Sequence, residues 1–247
     1  MKSGVTQGSV LRPLLYLLFT NDFPTTEHTT ITNFADDTGL LAVHSDLEVD
    51  SQRLKNHLNL LHDRFENWKI RVNPAKSAHV TFTMRHVTSP PVFLHTTPTP
   101  VTSKIKYLGL HLDRRLTWRK HIQTKRHTFK NAGAMSWLLG RRSRLSFPNK
   151  ILLYKCVLKH VWTYGIQLWG CAKPSHTQFL QRIQSKLLRT LANAPCHVSK
   201  LQLHTDLGIL FVKVEIHGSS LLYHRRLAGH PNALVAALST PPTSPDG

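Results

Sequence analysis

The stretch Asn33–Val43, "NFADDTGLLAV", sets two adjacent carboxylates, Asp36 and Asp37, inside an otherwise apolar and β-branched run. The surrounding residues predict two short strands, 29–34 and 38–43, rich in Thr, Ile and Val, with the acidic pair at the bend between them. A hairpin tip presents carboxylate oxygens rigidly, and such oxygens suit a hard cation such as Mg²⁺. Because successive side chains of a strand alternate between its faces, only one carboxylate is expected to be the principal ligand. Asp is also common in tight turns, where it bonds its own backbone, so a structural role stays open at this point.

Charge is the second strong feature of the chain. Its 247 residues contain 32 Lys and Arg against 13 Asp and Glu, a formal net charge of +19. The segment from Arg114 to Thr205 has no acidic residue and eighteen basic ones. Such a surface predicts a polyanionic partner, with nucleic acid favoured over a membrane surface, because solubility alone is achieved with mixed charge.

Composition narrows the class of protein further. With 40% hydrophobic residues, the chain has enough apolar side chains to bury a core in one large or two modest domains. The three cysteines, Cys156, Cys171 and Cys196, have neither disulfide-framework nor zinc-site spacing. The apolar run "VLRPLLYLLF" is too short to span a bilayer and contains Arg12, so we expect an intracellular protein, nuclear or cytoplasmic, that is neither secreted nor bound to a membrane.

Hydrophobic periodicity predicts an α+β first part and an all-α second part. The expected elements of the first part are a buried helix over 9–19, the strands 29–34 and 38–43, a helix from a Ser45–Glu48 capping box to Trp68, strands over 70–72 and 78–83, a Pro- and Thr-rich loop over 90–100, and a strand over 105–112. The second part is expected to contain helices at about 117–139, 148–162, 175–193 and 210–228. The last nine residues, 239–247, are expected to be disordered.

Four motifs, in order, give the chain a resemblance to a known family. "GVTQGSVLRPLLYLLFTNDFP", "NFADDTGLLAV", "WKIRVNPAKS" and "KYLGLHLD" resemble the second palm motif, the metal motif, the lysine motif and the primer-grip hairpin of reverse transcriptases. The resemblance is to non-LTR, LINE-like retrotransposons of the jockey type. It continues through "YGIQLWGCAKPS", "IQSKLLRTLANAP" and "LHTDLGI", and so covers nearly the whole chain.

The resemblance implies a fold and an activity. The fold would be the C-terminal part of a right-hand polymerase palm over residues 1–112, an antiparallel sheet with helices, followed by a basic helical thumb-like region over 113–238. The activity would be RNA-directed DNA synthesis by two-metal nucleotidyl transfer, with two Mg²⁺ ions, an RNA template, a DNA primer or duplex, and dNTP substrates. Asp36 would be the principal metal ligand and catalytic residue, with Asp37 its less directly bound neighbour.

Other site residues follow from the same motifs. Gln7, Gly8, Ser9 and Phe34 would contact the template and the incoming nucleotide, although Ser9 also suits an ordinary helix start. Lys76 would lie near the departing pyrophosphate as a catalytic acid or charge neutraliser, or be a simple surface lysine. The primer grip would be Tyr107, Leu108 and Gly109, of which the first two also suit a strand core.

The basic segment supplies the expected contacts with the nucleic-acid backbone, and these are Arg114, Arg115, Arg119, Lys120, Lys125, Arg126, Arg141, Arg142 and Arg144. Aromatic residues are interleaved with them and would either stack on bases or form core. They are Trp118, Trp137, Tyr154, Trp162, Tyr164 and Trp169.

The sequence also departs from the family pattern. Thr6 and Arg12 stand where relatives usually have Pro and Gly, and only three residues precede Gly4, whereas the family's first catalytic Asp lies upstream of this loop. We therefore expect the isolated chain to lack that Asp and the fingers and to be inactive as a polymerase. A non-catalytic nucleic-acid-binding remnant is the alternative function, and an unrelated basic helical scaffold is a third.

Overall fold

The computed structural model describes residues 8–35, 37–70, 72–87, 89–94, 97–133, 136–140, 142–232, 235–236 and 238–239. These residues form two compact units. The first unit contains the described residues up to Gly109 together with Asp113–Arg115, and the second contains Leu110–Leu112 and the described residues from Leu116 onward. The mixed α and β character predicted from the sequence is confirmed.

The first unit begins with helix α1 (Leu11–Thr20) and an antiparallel hairpin of β1 (Thr29–Phe34) and β2 (Asp37–Ala42). Thr29 pairs with Ala42 and Phe34 with Asp37, so the ladder runs without a bulge to the tip. Thr and Ile of β1 face the small and apolar residues of β2, a combination that suits a pleated surface. The predicted hairpin is confirmed, within a residue at each end of its second strand.

Helix α2 (Leu47–Asn67) packs against this hairpin. The predicted capping box was wrong: Asp46, not Ser45, is the N-cap, and its carboxylate accepts from the Glu48 amide at 2.9 Å. A carboxylate in this position satisfies a free amide and also lies at the positive end of the helix dipole. Buried His57, on the same helix, is hydrogen-bonded to Thr29 and fixes the start of β1.

The end of α1 is tied to α2 through the buried Arg64 side chain. Its guanidinium is hydrogen-bonded to the Asp22 carboxylate and lies 4.3 Å from the centre of the Phe23 ring. This hydrogen bond to Arg64 holds the pKa of Asp22 below its usual value. The contacts fix where the chain leaves α1 and turns toward β1.

The predicted burial of α1 was wrong. Its leucines are largely exposed in the described structure, with Leu17 and Leu18 both at 64%. The helical spacing of the apolar residues indicates a face of α1 that is suited to packing, but the described residues of the first unit do not cover that face.

The strands predicted over 70–72 and 78–83 were also wrong for the described residues, while residue 71 lies outside them. The segment 78–83 makes one isolated parallel bridge, between His79 and Val101. Its neighbouring segment contains Pro98 and Pro100, which have no N–H to donate, so a continuous ladder cannot form there.

Two small hairpins complete the strands. β3 (Phe93–Leu94) pairs with β4 (Thr97–Pro98) inside the segment predicted to be a loop. The single strand predicted over 105–112 is instead two, β5 (Lys104–Tyr107) and β6 (Leu110–Asp113), which form a two-stranded sheet. Leu108 and Gly109, at φ 45° and 76°, both take left-handed backbone and make the turn.

The second unit is built from helices. They are α3 (Arg119–Gly133), α4 (Ser136–Leu139), α5 (Phe147–Leu153), a π-helix (Tyr154–Leu158), α6 (Lys159–Thr163), α7 (Ile166–Trp169), α8 (Pro174–Ala192), α9 (Lys200–Asp206) and α10 (Val212–Ala228). The four predicted helices are present among the described residues, and the one predicted at 148–162 consists of α5, the π-helix and α6. The sequence pattern missed α7, which is one turn long, and α9, whose N-cap Ser199 accepts from the Gln202 amide at 3.1 Å.

A single apolar core holds these helices together. Large side chains from α3, the π-helix, α6, α7 and α8 are fully buried in it, including Phe129, Tyr154, Trp162, Trp169 and Leu188. The buried side chain of Lys150, on α5, contacts the residue that follows α4, because its Nζ donates to the Gly140 carbonyl at 2.8 Å. Of the predicted disordered end, residues 240–247 lie outside the described residues, and Ser239 lies in a turn.

Candidate nucleic-acid interface

The tip of the β1–β2 hairpin carries the first group of predicted site residues. Phe34 and Asp37 form its last strand pair, and both are exposed, Phe34 at 65%. Ala35, the next residue after Phe34, has φ 51°, a left-handed conformation that turns the chain sharply. Asp36, the expected principal ligand, lies outside the described residues.

Helix α1 reaches this tip through one side chain. The Tyr16 hydroxyl donates to the Ala35 carbonyl, which anchors the turn beside the acidic pair. The sequence pattern gave no signal for Tyr16, because a Tyr among leucines in an apolar helix looks like an ordinary packing residue. Only the tertiary contact shows that it positions the hairpin.

The loop before α1 is described from Gly8 onward, and Gln7 lies outside the described residues. Gly8 has φ 85° and open space where a Cβ would lie, so its backbone is accessible from solvent. The Ser9 hydroxyl accepts from the Leu11 amide at 3.3 Å, and the Ser9 carbonyl accepts from Arg12 at 3.2 Å. The sequence left two roles open for Ser9, a contact with template or nucleotide and a helix start. In the described structure Ser9 lies at the start of α1.

The predicted primer-grip residues lie next to the same hairpin. The Tyr107 hydroxyl is 3.2 Å from Oγ1 of Thr32, on β1. Gly39 is the β2 partner of Thr32, and a Cβ there would lie 2.8 Å from that Oγ1 and 3.4 Å from the Tyr107 hydroxyl. The structure thus brings Tyr107 onto the metal-motif hairpin, while Leu108 and Gly109 form the turn beyond it rather than strand core.

Lys76 lies on an ordered turn. Asn73 organises this turn, because its side-chain oxygen accepts from the Ala75 amide at 3.0 Å and its carbonyl accepts from the Lys76 amide at 3.1 Å. The Lys76 side chain is exposed. Among the described residues, the hydrogen bonds and ion pairs of the hairpin tip do not include Lys76.

A metal site is not complete within the described part of the chain, where no group of three or more His, Cys, Asp or Glu residues is placed to hold a metal ion. Of the two predicted metal ligands, Asp37 alone falls in that part. A single exposed carboxylate is too few for Mg²⁺, which binds through carboxylates together with phosphate and water oxygens in near-octahedral geometry.

The two predicted backbone-contact residues that lie in the first unit, Arg114 and Arg115, are engaged within the chain. The Arg114 guanidinium donates to the carbonyls of Arg85 and Val87, the latter at 2.7 Å. The Arg115 guanidinium lies 2.8 Å from Nε2 of His86, which accepts from it. These two predicted backbone contacts therefore have structural partners already.

The predicted basic residues of the second unit are more available. Arg119, Lys120, Arg126, Arg142 and Arg144 are exposed. Lys125 is half-buried with its Nζ 4.8 Å from the centre of the Tyr164 ring, and burial lowers its pKa. Arg141 lies outside the described residues.

One aromatic residue that the sequence pattern missed lies among these cations. Phe179, on α8, is 38% exposed, and its ring centre is 5.0 Å from the Arg126 guanidinium and 5.6 Å from that of Arg182. An aromatic face flanked by guanidinium groups is suited to stacking a base beside bound phosphates. The i, i+3 spacing of Phe179 and Arg182 could have indicated a contact between these two side chains. The contact with Arg126 could not be predicted in this way, because Arg126 lies on another helix, α3.

The interleaved aromatics divide between the two roles that the sequence left open. Trp118, Tyr154, Trp162 and Trp169 are buried core. Tyr164 is exposed, and Trp137 is exposed at 73%, so these two alone of the six have solvent-facing rings.

Comparison with known proteins tests the resemblance to reverse transcriptases. Residues 1–112 match the reverse transcriptase (RNA-dependent DNA polymerase) family. This part of the chain is therefore similar to that family, and the resemblance drawn from the four motifs is confirmed.

The relatives extend the match over nearly the whole chain. It is similar to a probable RNA-directed DNA polymerase from transposon X-element of Drosophila melanogaster, at 39% identity over 97% of this chain. It is also similar to RNA-directed DNA polymerases from mobile element jockey of Drosophila funebris and Drosophila melanogaster, each at 34% identity over 96% of the chain. The chain spans 27% of the length of each of these relatives. No solved structure matches it.

Among the described residues, every helix is too short or too polar to cross a bilayer.

Proposed function

We propose that this chain is part of the RNA-directed DNA polymerase of a non-LTR retrotransposon, and that it binds the RNA template paired with its DNA primer. In this proposal the first unit is the later part of the palm and the helical second unit is the thumb-like region. The observation that carries it is the reverse transcriptase match over residues 1–112, joined to an acid-free basic segment beyond it. The exposed cations of α3 and the Arg-flanked Phe179 ring are the proposed contacts with the duplex.

The proposed chemistry is two-metal nucleotidyl transfer in the complete enzyme. Asp36 and Asp37 would hold two Mg²⁺ ions, and these ions would supply Lewis-acid activation of the primer hydroxyl and stabilisation of the negative charge on the pyrophosphate that leaves the dNTP. Tyr16 would hold the hairpin turn, and Lys76 would neutralise the leaving group. Gln7, Gly8, Ser9 and Phe34 would contact template and nucleotide, with Tyr107, Leu108 and Gly109 at the primer.

A second candidate, a non-catalytic nucleic-acid-binding protein, is favoured by the exposed cations of the second unit, whose charge acts without any metal. We propose that residues 1–247 by themselves bind duplex but do not polymerise, because one hairpin supplies only part of the carboxylates of a two-metal site. The polymerase and the non-catalytic candidate therefore predict the same binding of duplex. They differ in whether a longer protein that contains this chain polymerises DNA.

Salt dependence tests the binding. We expect affinity for an RNA:DNA duplex to fall several hundred-fold when salt is raised fourfold, for about five phosphate contacts and a log–log slope of about −0.9 per contact. A filter-binding titration measures this slope, and a duplex of unrelated sequence should give nearly the same one. Affinity that does not change with salt would rule out the proposed backbone contacts.

Substitution of Asp36 tests the catalytic proposal. The chain is extended with the upstream part of a relative's polymerase, and Asp36→Asn is compared with the parental chimera in primer extension. Removing one metal-held charge is expected to lower the rate by more than about a thousandfold while duplex binding persists. Asp63→Asn, an exposed carboxylate on α2, is the control and should extend primers normally. Equal rates for Asp36→Asn and the parental chimera would show that Asp36 takes no part in the chemistry.

A further inference from the structure

A cavity of about 500 Å³, half open to solvent, lies in the helical unit, where the π-helix, α8 and α10 contribute to its wall. Its wall includes Tyr154, Trp162, Gln184, Ile209 and Ser219. The volume falls in the range of sites that take small ligands or a nucleotide. A π-helix is rare in proteins and is found mostly at functional sites, so its place in this wall points to more than packing.

The floor of the cavity is polar as well as buried. Gln184 is 1% exposed, and its amide nitrogen lies 2.9 Å from the Tyr154 hydroxyl and 3.1 Å from the Leu210 carbonyl, both of which accept from it. Its amide oxygen has no hydrogen-bond partner among the described residues. Leaving such an acceptor buried and unpaired costs free energy, which a ligand with an N–H group would recover.

A second buried polar group lies close by. The Trp162 indole is 1% exposed and forms no hydrogen bond of normal geometry with a described residue. Its N–H is nevertheless near enough to the Tyr154 hydroxyl to oppose the effect of burial, which raises the pKa of Tyr154 to about 12. The floor therefore offers an acceptor, an aromatic ring edge and a hydroxyl that stays protonated.

The rim of the cavity is cationic. Lys155 and His160 are exposed there, and Lys159 is paired with Glu215 at 2.7 Å. That carboxylate neutralises one lysine and leaves Lys155 and His160 facing the entrance region. A ligand matched to this arrangement has a planar polar group at one end and a negative charge at the other.

We propose that the cavity receives one unpaired base of a single-stranded nucleic acid. The base occupies the cavity, where the Gln184 oxygen accepts from one of its N–H groups, and Lys155 and His160 contact the adjoining phosphates. Each of the common bases carries an N–H group on its Watson–Crick edge, so the site favours a base without choosing among the four. The inference rests on the proposed function, since it assigns this unit a defined contact with the nucleic acid.

The test separates base recognition from attraction of charge. Two oligomers of about five phosphate units are compared by fluorescence anisotropy on the 247-residue chain, one fully abasic and one with a single adenosine at its centre. Their phosphate charge is the same, so only a base site distinguishes them. We expect the single base to tighten binding about tenfold, a typical contribution of one stacked base.

Two variants locate the effect in the cavity. Ser219→Trp fills it and should abolish the preference for the base-containing oligomer while abasic binding persists; Ser220→Trp, the adjacent serine outside the lining, should keep the preference. Circular dichroism checks that both fold, and the two-oligomer comparison on the unmodified chain stands by itself if they do not. Equal affinity for both oligomers, or a preference that survives Ser219→Trp, overturns the base site and leaves duplex binding intact. Binding of neither oligomer, together with no duplex binding, overturns both the base site and the proposed function.

Discussion

At the scale of single residues, the pair Thr32 and Gly39 decides how closely Tyr107 approaches the metal-motif hairpin. A Cβ on Gly39 would lie 2.8 Å from Oγ1 of Thr32, closer than real Cβ contacts occur. We expect Gly39→Ala to destabilise the hairpin by about 1–3 kcal/mol, because Thr32 has to move and its contact with Tyr107 at 3.2 Å is then lost. Hydrogen exchange of the β1 and β2 amides measures the change.

Two matched variants show whether the steric reason is correct. Gly218→Ala, within α10 where a Cβ meets nothing within 4 Å, should instead stabilise its helix by about 0.5–1 kcal/mol. Thr32→Ala added to Gly39→Ala should restore most of the hairpin protection, since the clashing hydroxyl is gone. No recovery in the double variant would show that the steric explanation is wrong.

At the scale of elements, helix α3 carries a buried histidine on one face and exposed cations on the other. His121 is fully buried, and its Nδ1 accepts from the His111 amide at 3.3 Å. Burial, and then the positive charges of Lys125 and His111, lower its pKa to about 4 from 6.5. The folded chain therefore keeps this imidazole neutral under conditions where the unfolded chain protonates it.

This shift predicts acid sensitivity of the helical unit. The contribution of neutral His121 to the free energy of unfolding is complete above pH 6.5. It is lost as the pH falls from there toward about 4, and the loss for this one group is up to about 3 kcal/mol. Urea unfolding at several pH values should show stability falling over this range, less steeply in His121→Gln. His127→Gln, an exposed histidine on the same helix, is the control and should keep the parental slope. Equal slopes in all three chains would show that His121 is not the group responsible.

At the scale of the whole molecule, charge is divided unevenly along the chain. Nine of the 13 acidic residues precede residue 67, whereas none lies between Arg114 and Thr205. We expect Arg119→Gln with Lys120→Gln to reduce the salt slope of duplex binding by up to about 2, because each lost phosphate contact removes about 0.9. Lys55→Gln changes an exposed lysine on α2 and should leave the salt slope unchanged. If Lys55→Gln reduces the slope as much as the α3 double variant does, the phosphate contacts are not specific to α3.

The sequence by itself determined the resemblance to reverse transcriptases, the α+β to all-α order, the acidic hairpin and the basic segment. Each rests on a local pattern: β-branched residues over 29–34, helical periodicity in α2 and α8, and motifs read in order. These patterns involve residues that are close together in the chain, so the sequence alone is enough to detect them.

Only the tertiary structure decided which residues meet. Four contacts join parts of the chain that are far apart in sequence: Tyr16 at the hairpin turn, Tyr107 on Thr32, Arg126 on Phe179, and the Gln184 amide nitrogen on Tyr154 and Leu210. The strands predicted over 78–83 failed for the same reason, since a strand needs a partner with free N–H groups and the neighbouring segment has prolines. Periodicity records which face of an element is apolar, whereas the partner that covers that face is chosen by packing across the whole fold.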